Sequence, residues 1–334
     1  SGTHGLVVTK TSDRIDAPPN TYRVRIVGNH VHHNFNELYS WVGTKTFIHP
    51  AIDEGKGISL QRNEDLRRDR GRILVANNIA HHNGYSGIHS NDGDNVDFVF
   101  NTAFLNSYTN DVTYADRDDR GGNNIGISMS NCNRCSIRNN IAVVNTAWGG
   151  FAISVTTGST VEIQQNIVFG VGAEQLRLDD DVTAVDENTL VADPLFTFAP
   201  VALDGGIGVE FDFAPVSSSP AVNHATTQAS VCSDFLERRR PAEGATVGAV
   251  QFASVAPQTS EEMFTCYDPS DVATATDPDP DPDPDPDPDP DPDPDPDAEP
   301  PVDEPTKASA ADVTASYSSV SIGIPLAAFV FSLL

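Results

Sequence analysis

Apolar and polar residues alternate in short runs along the first half of the chain, and the runs resemble one another. Ile58-Ser59-Leu60-Gln61, Ile88-His89-Ser90-Asn91, Ile127-Ser128-Met129-Ser130 and Ile153-Ser154-Val155-Thr156 all open on isoleucine, three of them directly after Gly57, Gly87 and Gly126. A period of two predicts strands with one inward face. A second kind of run follows each of these and ends in asparagine. Ile88 to Asn101, Ile127 to Asn140 and Ile153 to Asn166 are each 13 residues apart, and Asn78 to Asn101 completes a unit in 23. Gly5-Leu6 with Asn29, and Gly57-Ile58 with Asn78, fit the same scheme at longer intervals. No segment shows a helical period of useful length.

A repeat near 23 residues with three short strands per unit predicts an all-β solenoid, a right-handed parallel β-helix. In one unit, Gly87 to Ser90 forms the first strand, Asn91 to Asn95 a turn, Val96 to Phe100 the second strand and Thr102 to Leu105 the third. Asn101 marks the bend. Asparagine there is expected to take the left-handed backbone and to hydrogen-bond the equivalent amide one coil away. Val96 and Phe98, Cys135 and Ile137, and Val161 and Ile163 are expected to share inward columns, with Cys132 a turn residue beside Cys135.

The runs Ile73-Leu74-Val75-Ala76-Asn77-Asn78-Ile79-Ala80-His81-His82-Asn83-Gly84-Tyr85-Ser86-Gly87-Ile88 and Ser136-Ile137-Arg138-Asn139-Asn140-Ile141-Ala142-Val143-Val144-Asn145 resemble the coils of the right-handed parallel β-helix superfamily. That superfamily includes pectate lyases and related polysaccharide-processing proteins. Ala192-Asp193-Pro194-Leu195-Phe196, Ser219-Pro220-Ala221, Arg240-Pro241 and Val247-Gly248-Ala249 are similar to the irregular final coil of such proteins. The resemblance spans roughly residues 1–252, is specific for the fold and says little of activity. It implies coils over 1–190 and an irregular coil or cap over 191–266. Because Gly5-Leu6-Val7-Val8 already reads as a rung strand, an upstream segment is expected.

Charge changes the picture beyond residue 266. The chain has 48 acids and 20 bases, a formal charge of −28. From Tyr267 onward there are 17 acids against Lys307 alone, leaving −12 for residues 1–266. That balance argues against a nucleic-acid partner, which needs a basic face. Asp277 to Pro296 is ten Asp-Pro dipeptides, which cannot pack a core and predict a disordered, extended stalk over 267–308, with about 60 Å in the dipeptide run. Over 309–334 a small triplet (Ser309-Ala310-Ala311), a polar spacer and an apolar end have the layout of a lipid (GPI) attachment signal. An extracellular or cell-surface protein, monomeric and touching membrane only through such an anchor, is the expectation. Cys232 and Cys266 flank the irregular C-terminal region and could pair in an oxidising compartment.

Candidate chemistry follows from the first strands. Their outward rows read Val7, Ser59, His89, Ser128, Ser154 and then Thr9, Gln61, Asn91, Ser130, Thr156. Hydroxyls and amides on a flat strand stack suit a polysaccharide, and equally suit any solvated β face. Long insertions before and after these strands are expected to wall a groove. The resemblance places the substrate over this same stack. His89 is the candidate base for abstracting the proton α to a uronate carboxyl, with Tyr85 or Tyr114 as proton donor. Arg62, Arg67, Arg68, Arg70 and Arg72 form a locally basic stretch, and with Lys56 they would neutralise the substrate carboxylate. Gln61, Asn91, Ser59, Ser128, Trp41 and Trp148 are candidate sugar contacts. Asp92 and Asp94 offer oxygens to calcium, though Asp-Gly in a turn needs no metal. His32-His33 and His81-His82 read as repeat features. The expected activity is a polysaccharide lyase or epimerase on an acidic, uronate-containing polymer; the alternative is a non-catalytic adhesion or structural module.

Overall fold

The computed structural model describes residues 4–11, 18, 21–34, 55–64, 71–106, 125–144, 150–170, 174–199, 210–226, 231–241 and 244–252. Numbered in chain order, twenty strands are described among them. Eighteen make three all-parallel, six-stranded sheets. The first sheet stacks β1 (Leu6–Thr9), β4 (Ile58–Asn63), β7 (Ile88–Asp94), β10 (Ile125–Asn133), β13 (Phe151–Thr156) and β16 (Glu174–Leu178). The second stacks β2 (Tyr22–Val27), β5 (Arg72–Ala76), β8 (Val96–Val99), β11 (Cys135–Arg138), β14 (Thr160–Gln164) and β17 (Thr183–Glu187). The third stacks β3 (His30–His32), β6 (Ile79–His81), β9 (Thr102–Phe104), β12 (Ile141–Val143), β15 (Ile167–Phe169) and β18 (Leu190–Val191). Every rung contributes one strand to each sheet, so the chain is the expected solenoid.

Register carries the repeat into space. Ile58 pairs with Ile88, Ile88 with Ile127 and Ile127 with Ile153. These isoleucines are fully buried in one core with Phe98, Ile137 and Ile163. The glycine before the isoleucine has a steric cause. A Cβ on Gly57, Gly87 or Gly126 would lie 2.6–2.8 Å from the carbonyl oxygen of the next rung.

The asparagine ladder runs through Asn29, Asn78, Asn101, Asn140 and Asn166. Each backbone N–H and side-chain amide donates to the Oδ1 of the next: Asn78 to Asn101 at 3.0 and 2.9 Å, Asn101 to Asn140 at 2.8 and 2.9 Å. The left-handed backbone, however, belongs to the residue before: Gly28, Asn77, Phe100, Asn139 and Gln165 have φ of 68°, 52°, 55°, 57° and 50°. The two jobs assigned to one asparagine are thus split. A second ladder, Asn34 to Asn83 to Asn106, also follows left-handed residues, His33 and His82 and Leu105.

Two further local expectations change. No separate turn spans Asn91 to Asn95: β7 runs on to Asp94, cornered by left-handed Asp92 and Asn95. Cys132 is likewise in a strand, not a turn. It is fully buried, with its Sγ 3.3 Å from Ser90 Oγ. Cys132 and Cys135 are free thiols, and burial, with the Cys132 thiol beside it, pushes the Cys135 thiol up, away from reactive thiolate. Cys232 is disulfide-bonded; Cys266, the expected partner, lies outside the described residues.

After β18 the chain runs along the outer faces of the second and third sheets. β19 (Phe196–Phe198) and β20 (Asp212–Pro215) form an antiparallel pair. Phe213, Ala221, Val247 and Val250 pack on the outward Ile79, Phe104, Ile141 and Ile167 of the third sheet, and Val231 packs on Leu74, Val99 and Phe100 of the second. The left-handed asparagines hold this segment: Asn77 donates to Ser233 O at 2.7 Å, and Asn139 exchanges hydrogen bonds with Thr226 at 3.1 Å. At the last rung, Asp186 takes the inward position that Ile163 holds one rung before. An inward carboxylate is a recognised device for blunting a sheet end. The Asp-Pro stalk and the apolar terminus lie outside the described residues.

Candidate functional site

Two of the three outward faces are committed to the C-terminal segment and to ion pairs, which leaves the first sheet. Register aligns its polar row. Val7 pairs with Ser59, Ser59 with His89, His89 with Ser128, Ser128 with Ser154 and Ser154 with Arg177. Neighbours are about 4.8 Å apart across the sheet. The parallel row is Thr9, Gln61, Asn91, Ser130 and Thr156. Alternation fixes this arrangement, because each member of the His89 row directly follows an inward isoleucine or leucine.

His89 is half-buried and held through Nδ1, 2.7 Å from Ser128 Oγ. Gln61 donates to Ser59 Oγ at 3.1 Å. The serines point outward yet are buried, with exposures of 0% for Ser59, 5% for Ser128 and 2% for Ser154. Outward direction therefore does not mean open surface here.

Lys56 and Tyr85, entering β4 and β7, are brought together: the ammonium lies 4.7 Å from the ring centroid of Tyr85. Lys56 is only 6% exposed, and its backbone N–H donates to His4 Nδ1 at 3.3 Å. Arg62 is exposed with φ of 55°, in the same bend column as Asp92. Arg72 departs from the expected basic wall. It lies in the second sheet, where it grips Asp97 with two hydrogen bonds of 2.6 and 2.5 Å, and Ser136 adds a third at 2.6 Å. Burial would raise the Asp97 carboxyl, but the Arg72 charge and these hydrogen bonds outweigh it and hold it below its ordinary value. Tyr114, Arg67, Arg68, Arg70, Trp41 and Trp148 lie outside the described residues.

The two acids offered to calcium are held within the bend. Both oxygens of Asp92 accept amide hydrogens, from Asn91 and from Asn131 at 2.9 Å each, while Asp94 accepts the Asn133 N–H at 3.2 Å. Among the described residues no group of three His, Cys, Asp or Glu side chains is placed to hold a metal.

Two groups escaped the sequence reading. Arg177 extends the His89 row by a cation; its Nε donates to Asp179 at 3.0 Å, and the signal was its place between Leu176 and Leu178 in an alternating run. His4, beside Lys56 and Gln61, carried no repeat signal at all.

No family model, curated protein or solved structure matches this chain, so fold and site rest on its own geometry. Three parallel sheets in one repeating strand order, not closed into a barrel and stacked through six described rungs, make it a right-handed parallel β-helix of the pectate-lyase-like fold.

Proposed function

We propose that this chain is an extracellular, surface-anchored protein that engages an acidic polysaccharide along the outer face of its first sheet. The observation carrying this is the in-register row of polar groups from Ser59 to Arg177 on β16, with Lys56 beside its β4 end. The fold is consistent with the carbohydrate-active β-helix superfamily. A linear polymer laid across the rungs meets one equivalent group every 4.8 Å or so, a spacing close to a sugar ring. Cations recognise uronate carboxylates, and hydroxyls and amides recognise sugar hydroxyls.

The chemical form of this reading is a lyase or epimerase. A neutral His89, with Nδ1–H donated to Ser128, directs Nε2 as the base that removes the proton α to the carboxyl. Lys56 neutralises the carboxylate, and Tyr85 beside it returns a proton to the leaving oxygen or to the carbon. Because Ser59, Ser128 and Ser154 are buried, polymer contact falls on the half-buried His89 and on Gln61, Asn91, Ser130 and Thr156; the second reading is a non-catalytic adhesion module that uses the same groups.

Incubation of the protein with alginate and pectate, following absorbance of the unsaturated product and the composition of the recovered polymer, separates these. Unsaturated ends mean a lyase and altered uronate composition an epimerase. Polymer retained but unchanged means a binding module, and no retention of any acidic polymer sinks the proposal.

A further inference from the structure

Five histidines that are far apart in the chain meet at the outer face of the third sheet. His30, His32 and His33 come from β3 and the bend after it, His81 and His82 from β6 and its bend. The rings stack between rungs: His32 on His81 at 4.9 Å and His33 on His82 at 5.5 Å, each pair within 6° of parallel. His30 Nε2 lies 2.8 Å from His81 Nε2, and His81 Nδ1 lies 2.9 Å from His82 Nδ1. A separate contact of 2.8 Å joins His32 Nδ1 to His33 Nδ1.

Proton counting constrains this cluster. Each nitrogen–nitrogen contact holds one hydrogen, so one ring donates and the other accepts. In the run His30–His81–His82, three neutral rings with aligned tautomers fill both contacts. One added proton is tolerated at an outer nitrogen, and a second forces two N–H groups to face each other.

The aromatic segment that follows the rungs forms the lid over this run. Phe211 lies 4.7 Å from His81 and 5.1 Å from His82, Phe213 lies 5.4 Å from His81, and Phe235 meets His30 edge-on at 6.1 Å. From β9 the neighbour is Phe104, 5.9 Å from His82. The acids of the covering segment are engaged or turned outward: Asp212 accepts the Ala214 N–H, Asp234 is bound by Arg238, and Glu210 is exposed.

We propose that the histidine cluster is a proton-operated clasp: neutral, it seats the Phe211–Phe213 and Phe235 segment on the third sheet, and on acidification it releases that segment while the solenoid stays wound. The electrostatics agree in sign. Burial first, then the neighbouring histidines, lower His81 to about 2 and His82 to about 4, and lower His30 in the same way. In a released, hydrated state these rings return toward about 6.5. The clasped form thus binds fewer protons, and its advantage falls as pH drops below about 6.5. With His81 and His82 both taking up a proton on release, the released-to-clasped ratio rises about 30- to 70-fold per pH unit between about 6 and 4.

Hydrogen exchange of the full chain, measured from pH 7 to 4.5 and corrected for the intrinsic exchange rate, tests this. Amides of the covering segment, such as Ala225, Phe235 and Val247, are expected to lose protection by at least tenfold per unit below pH 6, while those of Met129 and Ile153 hold. In His81→Asn/His82→Asn the pH slope is expected to vanish. Should that variant not fold, the imidazole signals of the wild-type chain decide: His81 and His82 stay neutral until the segment opens. Ordinary titration near 6.5 under a still-protected segment overturns the proposal. So does equal loss of protection across all three sheets, or an unchanged slope in the folded variant.

Discussion

The guanidinium of Arg240 lies 3.9 Å from the centroid of the Phe100 ring. Phe100 is the one bulky residue in a bend column otherwise held by glycine, asparagine and glutamine, and its φ of 55° carries strain those residues largely avoid. The ring is almost fully buried against Leu74, Val99 and Val231, and the cation covers its face. Arg240 also donates to Asn77 Oδ1 at 2.9 Å and to the carbonyls of Gly248 at 2.7 Å and Thr246 at 2.9 Å. Arg240→Lys keeps the charge but loses the fork. A loss of about 2–3 kcal/mol is expected in urea unfolding, with the C-terminal segment exchanging first.

Asn140 sits mid-ladder. It accepts from Asn101 twice and donates to Phe98 O at 2.8 Å. Removing its amide leaves several buried polar groups unpaired, so Asn140→Ala is expected to cost about 3–5 kcal/mol. Asn140→Leu, which refills the volume, should cost nearly as much. Recovery of stability in the leucine variant, by thermal or urea unfolding, would show that packing and not the amide supports the bend.

The Arg72–Asp97 pair makes a prediction with a definite pH sign. Asp97 has a lowered carboxyl in the folded chain, so its contribution is full above the unfolded value of about 3.8 and fades as pH falls through the folded one. Asp97→Asn strands a buried guanidinium and is expected to cost about 3–5 kcal/mol at neutral pH. The gap between wild type and variant should narrow below about pH 3.8 in denaturant titrations. A gap that stays constant with pH would remove the ion pair as its cause.

At the proposed site, His89→Ala is expected to lower turnover of a uronate polymer by about 10²–10⁴-fold, the usual worth of a general base. Ser128→Ala, which frees the ring to rotate, should cost about tenfold in rate, with at most a small loss of polymer retention. Steady-state rates together with a retention assay distinguish the two. Equal rates in His89→Ala and wild type would move the base elsewhere on the sheet.

The rungs were legible because parallel, in-register stacking sets the same demand at the same place in every unit. A carbonyl approaches Gly57, Gly87 and Gly126 alike, and an amide is wanted at Asn78, Asn101, Asn140 and Asn166. Bend columns were illegible where any residue type satisfies them. Lys10, Arg62, Asp92, Asn131 and Thr157 share one left-handed column and no chemistry. The C-terminal wrap was hidden for another reason. Its contacts, such as Asn77 with Ser233 and with Arg240, join positions more than 150 residues apart without periodicity. Row membership of Ser59, His89 and Ser128 followed from alternation, whereas their burial depends on what lies above the sheet, which alternation does not encode.

Asp186 bears on how these molecules meet one another. Another solenoid seated end-on against the final rung would have to strip water from a carboxylate aimed at its own apolar column, a penalty of several kcal/mol. The final described rung is thus an unfavourable seat for another copy, and Asp186→Val is expected to make it a better one.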